Sequence, residues 1–65
     1  MPDVHISWVE GRTPDQKRKI AQRITQVLVE EAGVKSESTH IVFMDIPASD
    51  FAVAGVPFTD RKRTP

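Results

Sequence analysis

The sequence predicts an α/β (α+β) fold: one β-α-β unit with parallel strands, followed by a short C-terminal hairpin and built to associate with further chains. Three observations carry this. The chain has 65 residues, which is a single domain over 1–65. Two strand-like runs flank one long amphipathic run that has both helix start and helix stop signals. The second strand-like run is apolar on both parities. It therefore needs cover on both sides, and its own helix supplies only one.

Residues 3–9, DVHISWV, alternate, with Val4, Ile6 and Trp8 pointing one way and Asp3, His5 and Ser7 the other. That is a strand with one face committed to a core. Gly11 ends it. In Thr13-Pro14-Asp15-Gln16 the threonine can cap, proline suits the first helical position, aspartate complements the dipole and glutamine completes a capping box. The helix is predicted over 14–32. Ile20, Ile24, Val27, Leu28 and Ala32 form its apolar stripe, and Lys17, Lys19, Arg23, Gln26 and Glu30 lie largely outside it. Gly33 is the expected stop, with Val34 beyond it for the hydrophobic contact.

Residues 39–46, THIVFMDI, form the second strand, with Val42, Met44 and Ile46 on one parity and Ile41 and Phe43 on the other. Pro47–Asp50 is a loop, and residues 51–58 read as a small hairpin around Gly55. Strand, long helix, strand implies a right-handed crossover and parallel pairing. Two strands do not make a self-sufficient sheet, so this one calls for partners.

Composition narrows the function. With no cysteine there is no disulfide framework, thiolate nucleophile or cysteine metal site, and oligomerisation is the remaining support for so small a domain. Hydrophobic residues are 38% and charged residues 28%, a globular balance. Net charge is zero, which argues against a nucleic-acid binder. No run approaches a membrane span, and the leading residues lack the layout of a signal peptide, so a cytoplasmic protein is expected.

Few residues can carry chemistry. Pro2 trims a strand edge as long as its nitrogen is an amide. If Met1 is removed, as is usual before a small second residue, that nitrogen becomes a secondary amine. The α-amino reference pKa is about 7.7–8.0, near what a general base at neutral pH needs. Arg12 can fork onto a carboxylate or pair with Glu10 or Asp15. His40 shares parity with Val42 and Met44, so it can face a pocket and donate to a carbonyl, or pack at an interface. His5 has the same ambiguity. The two histidines sit on separate strands with no carboxylate companion apparent, which disfavours a metal site. Phe51 walls a pocket or joins the core. Lys17-Arg18-Lys19 reads as a solvated helix face.

Taken together, Pro2 after Met1, a strand ending Glu10-Gly11-Arg12, Thr13-Pro14-Asp15-Gln16-Lys17 opening the helix, and Phe51-Ala52-Val53-Ala54-Gly55 near the end closely resemble the 4-oxalocrotonate tautomerase family. The resemblance covers essentially the whole chain. It implies a cofactor-independent and metal-independent isomerase acting on a small-molecule enol or keto acid. It implies a homohexamer built as a trimer of dimers, or a heterohexamer of related chains. By the same resemblance Pro2 is the general base, Arg12 binds the substrate carboxylate, often across a subunit boundary, and Phe51 lines the apolar part of the pocket.

One departure bears on the substrate. The family's second arginine, early in the second strand, falls on His40, which is shorter and cannot bind a carboxylate in the bidentate way. A monoacid, an aryl enol or another electrophile is thus expected in place of a diacid, with Arg61 or Arg63 of a neighbouring tail as candidate substitutes for the missing cation. His40 or a backbone N–H is expected to stabilise the developing oxyanion. Two other readings stay open. One is hydratase or dehalogenase chemistry with a charged Pro2, using Asp45 or Asp50 to activate water. The other is a noncatalytic, oligomeric ligand-binding protein.

Overall fold

The computed structural model describes residues 1–60. Its order is β1 (Asp3–Val9), α1 (Pro14–Ala32), a 3-10 turn, β2 (His40–Ile46), a second such turn, then the short strands β3 (Ala52–Val53) and β4 (Val56–Pro57). β1 and β2 pair in parallel, in a register running from Asp3 opposite His40 to Val9 opposite Ile46. β3 and β4 pair antiparallel. The β-α-β unit and its hairpin are as the sequence predicts, with β2 beginning one residue later, at His40.

The helix begins where its cap says it should. Thr13 Oγ1 accepts from Gln16 N at 3.1 Å, and Gln16 Oε1 accepts from Thr13 N at 2.9 Å, so two of the end's orphan donors are satisfied reciprocally. At the far end the Gly33 N–H donates to Val29 O at 3.2 Å. In the hairpin, Ala54 and Gly55 both have positive φ, 53° and 81°, as a two-residue turn between twisted strands requires. Ala54 bears the strain that a glycine there would avoid.

One sheet face lies under the helix and the other lies open. Val4, Ile6 and Trp8 of β1 and Ile41 and Phe43 of β2 are half-buried beneath Ile20, Ala21, Ile24 and Leu28 of α1. The rings of Trp8 and Phe43 stack with centroids 5.4 Å apart. The predicted stripe needs correction at its flanks. Val27 is 55% exposed and Ala32 is exposed, whereas Lys17 turns inward and pairs with Asp45. The sheet beneath is only two strands wide, so the inward arc of the helix is narrow and leaves Val27 over its edge.

On the open face Val42 and Met44 are 40% and 42% exposed. No described residue is fully buried. The radius of gyration is 15.0 Å, against roughly 10–11 Å for a compact chain of this length. A fold that leaves a β-branched residue and a methionine uncovered on a sheet, with no sealed core, has apolar surface still to bury.

Candidate active site

Register decides which candidate residues meet. Asp3 stands opposite His40, and the His40 N–H donates to Pro2 O at 3.0 Å. Pro2 is therefore tied to the sheet, half-buried, at the end where β2 begins. The His40 ring follows its backbone to the same place, with Nδ1 2.8 Å from Asp3 Oδ1. This corrects one expectation: His40 does have a carboxylate companion. Among the described residues no third ligand joins the pair to make a metal-binding group.

Arg12 lies at the other end. Glu10 N–H donates to Ile46 O at 2.9 Å, closing the ladder. Gly11, at φ 131°, then turns the chain in a conformation that side chains rarely adopt, and Arg12 follows immediately. Its guanidinium sits 5.1 Å above the centre of the Trp8 ring, within cation–π range. It pairs with neither Glu10 nor Asp15; Asp15 is taken by Arg18. Seven strand residues at about 3.3 Å each separate Pro2 from Arg12, roughly 20 Å along β1. Within one chain the two do not meet.

The support under Arg12 is a small polar network that the sequence alone does not single out. Trp8 Nε1–H donates to Asp45 Oδ1 at 2.7 Å, and Lys17 Nζ donates to Asp45 Oδ2 at 2.5 Å. The lysine hydrogen bond first, and the indole second, hold the Asp45 carboxyl below its ordinary value, with the charges of Lys17 and Arg12 adding to the effect and desolvation opposing it. Two signals point to this cluster: a lone carboxylate inside the apolar run HIVFMDI, and an indole N–H on a core-facing position that needs an acceptor. Asp45 is thereby occupied as a structural acceptor, which counts against its use as a water-activating base.

Phe51 follows β2 by five residues, beyond the end at which Arg12 sits. Its ring meets Phe58 edge-on, with centroids 5.8 Å apart, and its carbonyl accepts from Phe58 N–H at 2.7 Å. The aromatic wall at the base of the hairpin is thus a pair of rings. A groove of about 260 Å³ runs along the helix beside Arg12, between Gln16, Lys19, Ile20 and Arg23. Arg61 and Arg63 lie outside the described residues. One chain therefore holds the candidate residues in two separate groups, Pro2 with His40 and Asp3 at one end of the sheet, and Arg12 on Trp8 at the other.

Comparison with known proteins agrees with this architecture. A family model described as tautomerase enzyme matches residues 2–61. Probable tautomerase RSp1151 of Ralstonia nicotianae is 37% identical over 65 residues, the whole of both chains. The 2-hydroxymuconate tautomerase of Comamonas testosteroni is 34% identical over 56 residues, 86% of this chain and 89% of that one. Among solved structures, the 4-oxalocrotonate tautomerase homologue TTHB242 superposes with a TM-score of 0.90 at 25% identity, covering 97% of this chain and all of that one. YwhB, a homologue of the same enzyme, gives 0.86 at 30% identity over 94% of this chain and all of that one. The match is full-length in sequence and in fold, and the chain belongs to the tautomerase family.

Proposed function

We propose that this chain is an enol–keto tautomerase that moves a proton within a small 2-hydroxydienoate or enol monoacid, with the Pro2 nitrogen as general base once Met1 has been removed. The observation that carries the reading is the tether at the leading end. The Pro2 carbonyl accepts from the His40 N–H at 3.0 Å, so the proline is anchored against the start of β2.

In this reading the free amine takes the enol hydroxyl proton. The O–H electron pair becomes the carbonyl π bond, the C=C pair shifts, and the protonated proline returns the proton to the distal carbon. Proton and charge balance over the cycle, and the amine is regenerated. Arg12 holds the substrate carboxylate, and holding it in place can supply several kcal/mol of the barrier reduction. Since Arg12 lies a strand's length from Pro2 of its own chain, a neighbouring chain supplies it. The open face carrying Val42 and Met44, and the absence of any fully buried described residue, support association into a hexamer arranged as a trimer of dimers. Phe51 of a neighbour lines the apolar end of the pocket, and burial there disfavours the charged amine.

Intact mass of the protein from its native host, combined with ketonisation of phenylenolpyruvate, tests the reading. The expected results are a mature chain beginning at Pro2 and a rate at least about a hundredfold lower in Pro2→Ala, the low end of what general-base catalysis contributes. A native chain that retains Met1, or an unchanged rate in Pro2→Ala, rejects it.

A further inference from the structure

The hydrogen bond between His40 and Asp3 determines which face of the imidazole is chemically available. A carboxylate at neutral pH only accepts hydrogen bonds. Asp3 Oδ1 lies 2.8 Å from His40 Nδ1, so Nδ1 must carry the proton in that contact. In a neutral imidazole the other nitrogen then has none. In that neutral form His40 Nε2 is a hydrogen-bond acceptor, the opposite of the oxyanion-donating role its position in the sequence suggests.

The pair is too exposed to matter much for stability. The two side chains are 50% and 55% exposed, and exposed pairs typically contribute about 0–1 kcal/mol. Its consequence is orientation. Both partners sit on the open face of the sheet, at the Pro2 end, where the His40 backbone is already pinned to Pro2. The other imidazole on that face, His5, stands opposite Val42 and has no side-chain partner among the described residues. The ordered acceptor is therefore particular to His40.

We propose that Asp3 is a positioning residue that holds His40 as its Nδ1–H tautomer, so that Nε2 accepts a hydrogen bond from a hydroxyl of the substrate, making the site selective for hydroxyl-bearing monoacids. This rests on the Pro2-centred site described above, and it deepens that reading by naming what the His40 end recognises. A ligand with a hydroxyl meets an acceptor there. A ligand with a second carboxylate meets lone pair against lone pair, and one with neither leaves Nε2 without a partner.

The test needs no turnover. Ring 15N resonances of His40 report its tautomer directly, and binding of 4-hydroxyphenylacetate against phenylacetate isolates the hydroxyl. In the wild type, Nδ1 should appear protonated and Nε2 unprotonated, and the hydroxylated acid should bind about threefold to tenfold more tightly and shift Nε2, as a neutral hydrogen bond allows. Asp3→Ala should populate both tautomers and bring the two affinities towards parity. Asp3→Asn separates charge from hydrogen bonding. Its amide oxygen still accepts from Nδ1–H, so it should behave as the wild type, whereas a purely charge-based effect would make it resemble Asp3→Ala. A wild-type His40 protonated at Nε2, or equal wild-type affinity for the two acids, overturns the proposal. If phenylenolpyruvate is not turned over while these results hold, the isomerase reading fails and the recognition of the hydroxyl stands.

Discussion

Trp8 and Asp45 are register partners across the parallel pair, and they are also joined through their side chains, Nε1–H to Oδ1 at 2.7 Å. Lys17 reaches down from α1 to the second carboxylate oxygen, and Arg12 covers the indole at 5.1 Å. One carboxylate thus ties β1, β2 and the first turns of the helix together beneath Arg12, the residue proposed to bind the substrate carboxylate. Because the Trp8 ring is held by its N–H on one side and by Phe43 stacking on the other, the platform for Arg12 is ordered before any ligand arrives.

The charge on Asp45 should show itself on acidification. Its folded-state pKa is depressed, by the Lys17 hydrogen bond foremost and the Trp8 hydrogen bond next. A group with a depressed folded pKa contributes stability that is fully present above its unfolded value. That contribution is lost as pH falls through the lower folded value. Asp45→Asn retains an acceptor for the indole and lacks the charge. At fixed protein concentration, the urea midpoint of the wild type should exceed that of Asp45→Asn near neutral pH. The gap should close as pH drops below about 4, the ordinary aspartate range. A gap that persists unchanged into strong acid would mean that ionisation of Asp45 is not its source.

The uncovered sheet face makes a second prediction. Val42 and Met44 point away from the helix and are 40% and 42% exposed. If further chains cover them, Val42→Asp places a carboxylate in the contact. Burying a carboxylate there, with only the His5 imidazole opposite it, should weaken association by about 1.5–3 kcal/mol, roughly 10- to 150-fold in the dissociation constant. Sedimentation should show the wild type assembled and Val42→Asp shifted to smaller species, with a thermal midpoint that depends on concentration. An unchanged sedimentation coefficient in Val42→Asp would show that the assembly does not use this face.

How far the sequence could be read follows from where each signal resides. The capping box at Thr13 and Gln16, the stop at Gly33 and the alternation in DVHISWV are local, and each appears in the structure as read. Lys17 reads as a solvent-facing residue because a lysine at the start of a basic run normally belongs there. Its partner Asp45 is 28 positions away, and no local pattern links them. Asp3 and His40 are 37 positions apart and meet only once the parallel register is known, since a slip of one residue would send one of them to the opposite face. Resemblance to a family located Pro2, Arg12, His40 and Phe51 along the chain. What appears only in the structure is the Arg12 guanidinium resting on Trp8; that Pro2 and Arg12 stand at opposite ends of one strand follows already from a strand read over 3–9.

That separation supports a test by complementation. If each working site combines Pro2 of one chain with Arg12 of another, a chain lacking Pro2 still has a usable arginine, and a chain lacking Arg12 still has a usable proline. Pro2→Ala and Arg12→Ala should each lose activity as pure assemblies. For Arg12→Ala, loss of charge-assisted hydrogen bonds of about 1.5–3 kcal/mol corresponds to a KM increase of roughly 10- to 150-fold. When the two variants are unfolded, mixed in equal amounts and refolded together, random assembly gives about a quarter of sites with both native residues. The mixture should regain about that fraction of wild-type kcat/KM, with KM at the restored sites close to the wild-type value. Separately refolded variants mixed afterwards should regain it only as fast as chains exchange. If Pro2 and Arg12 of the same chain served one site, every site in the mixture would lack one of them, and co-refolding would restore nothing.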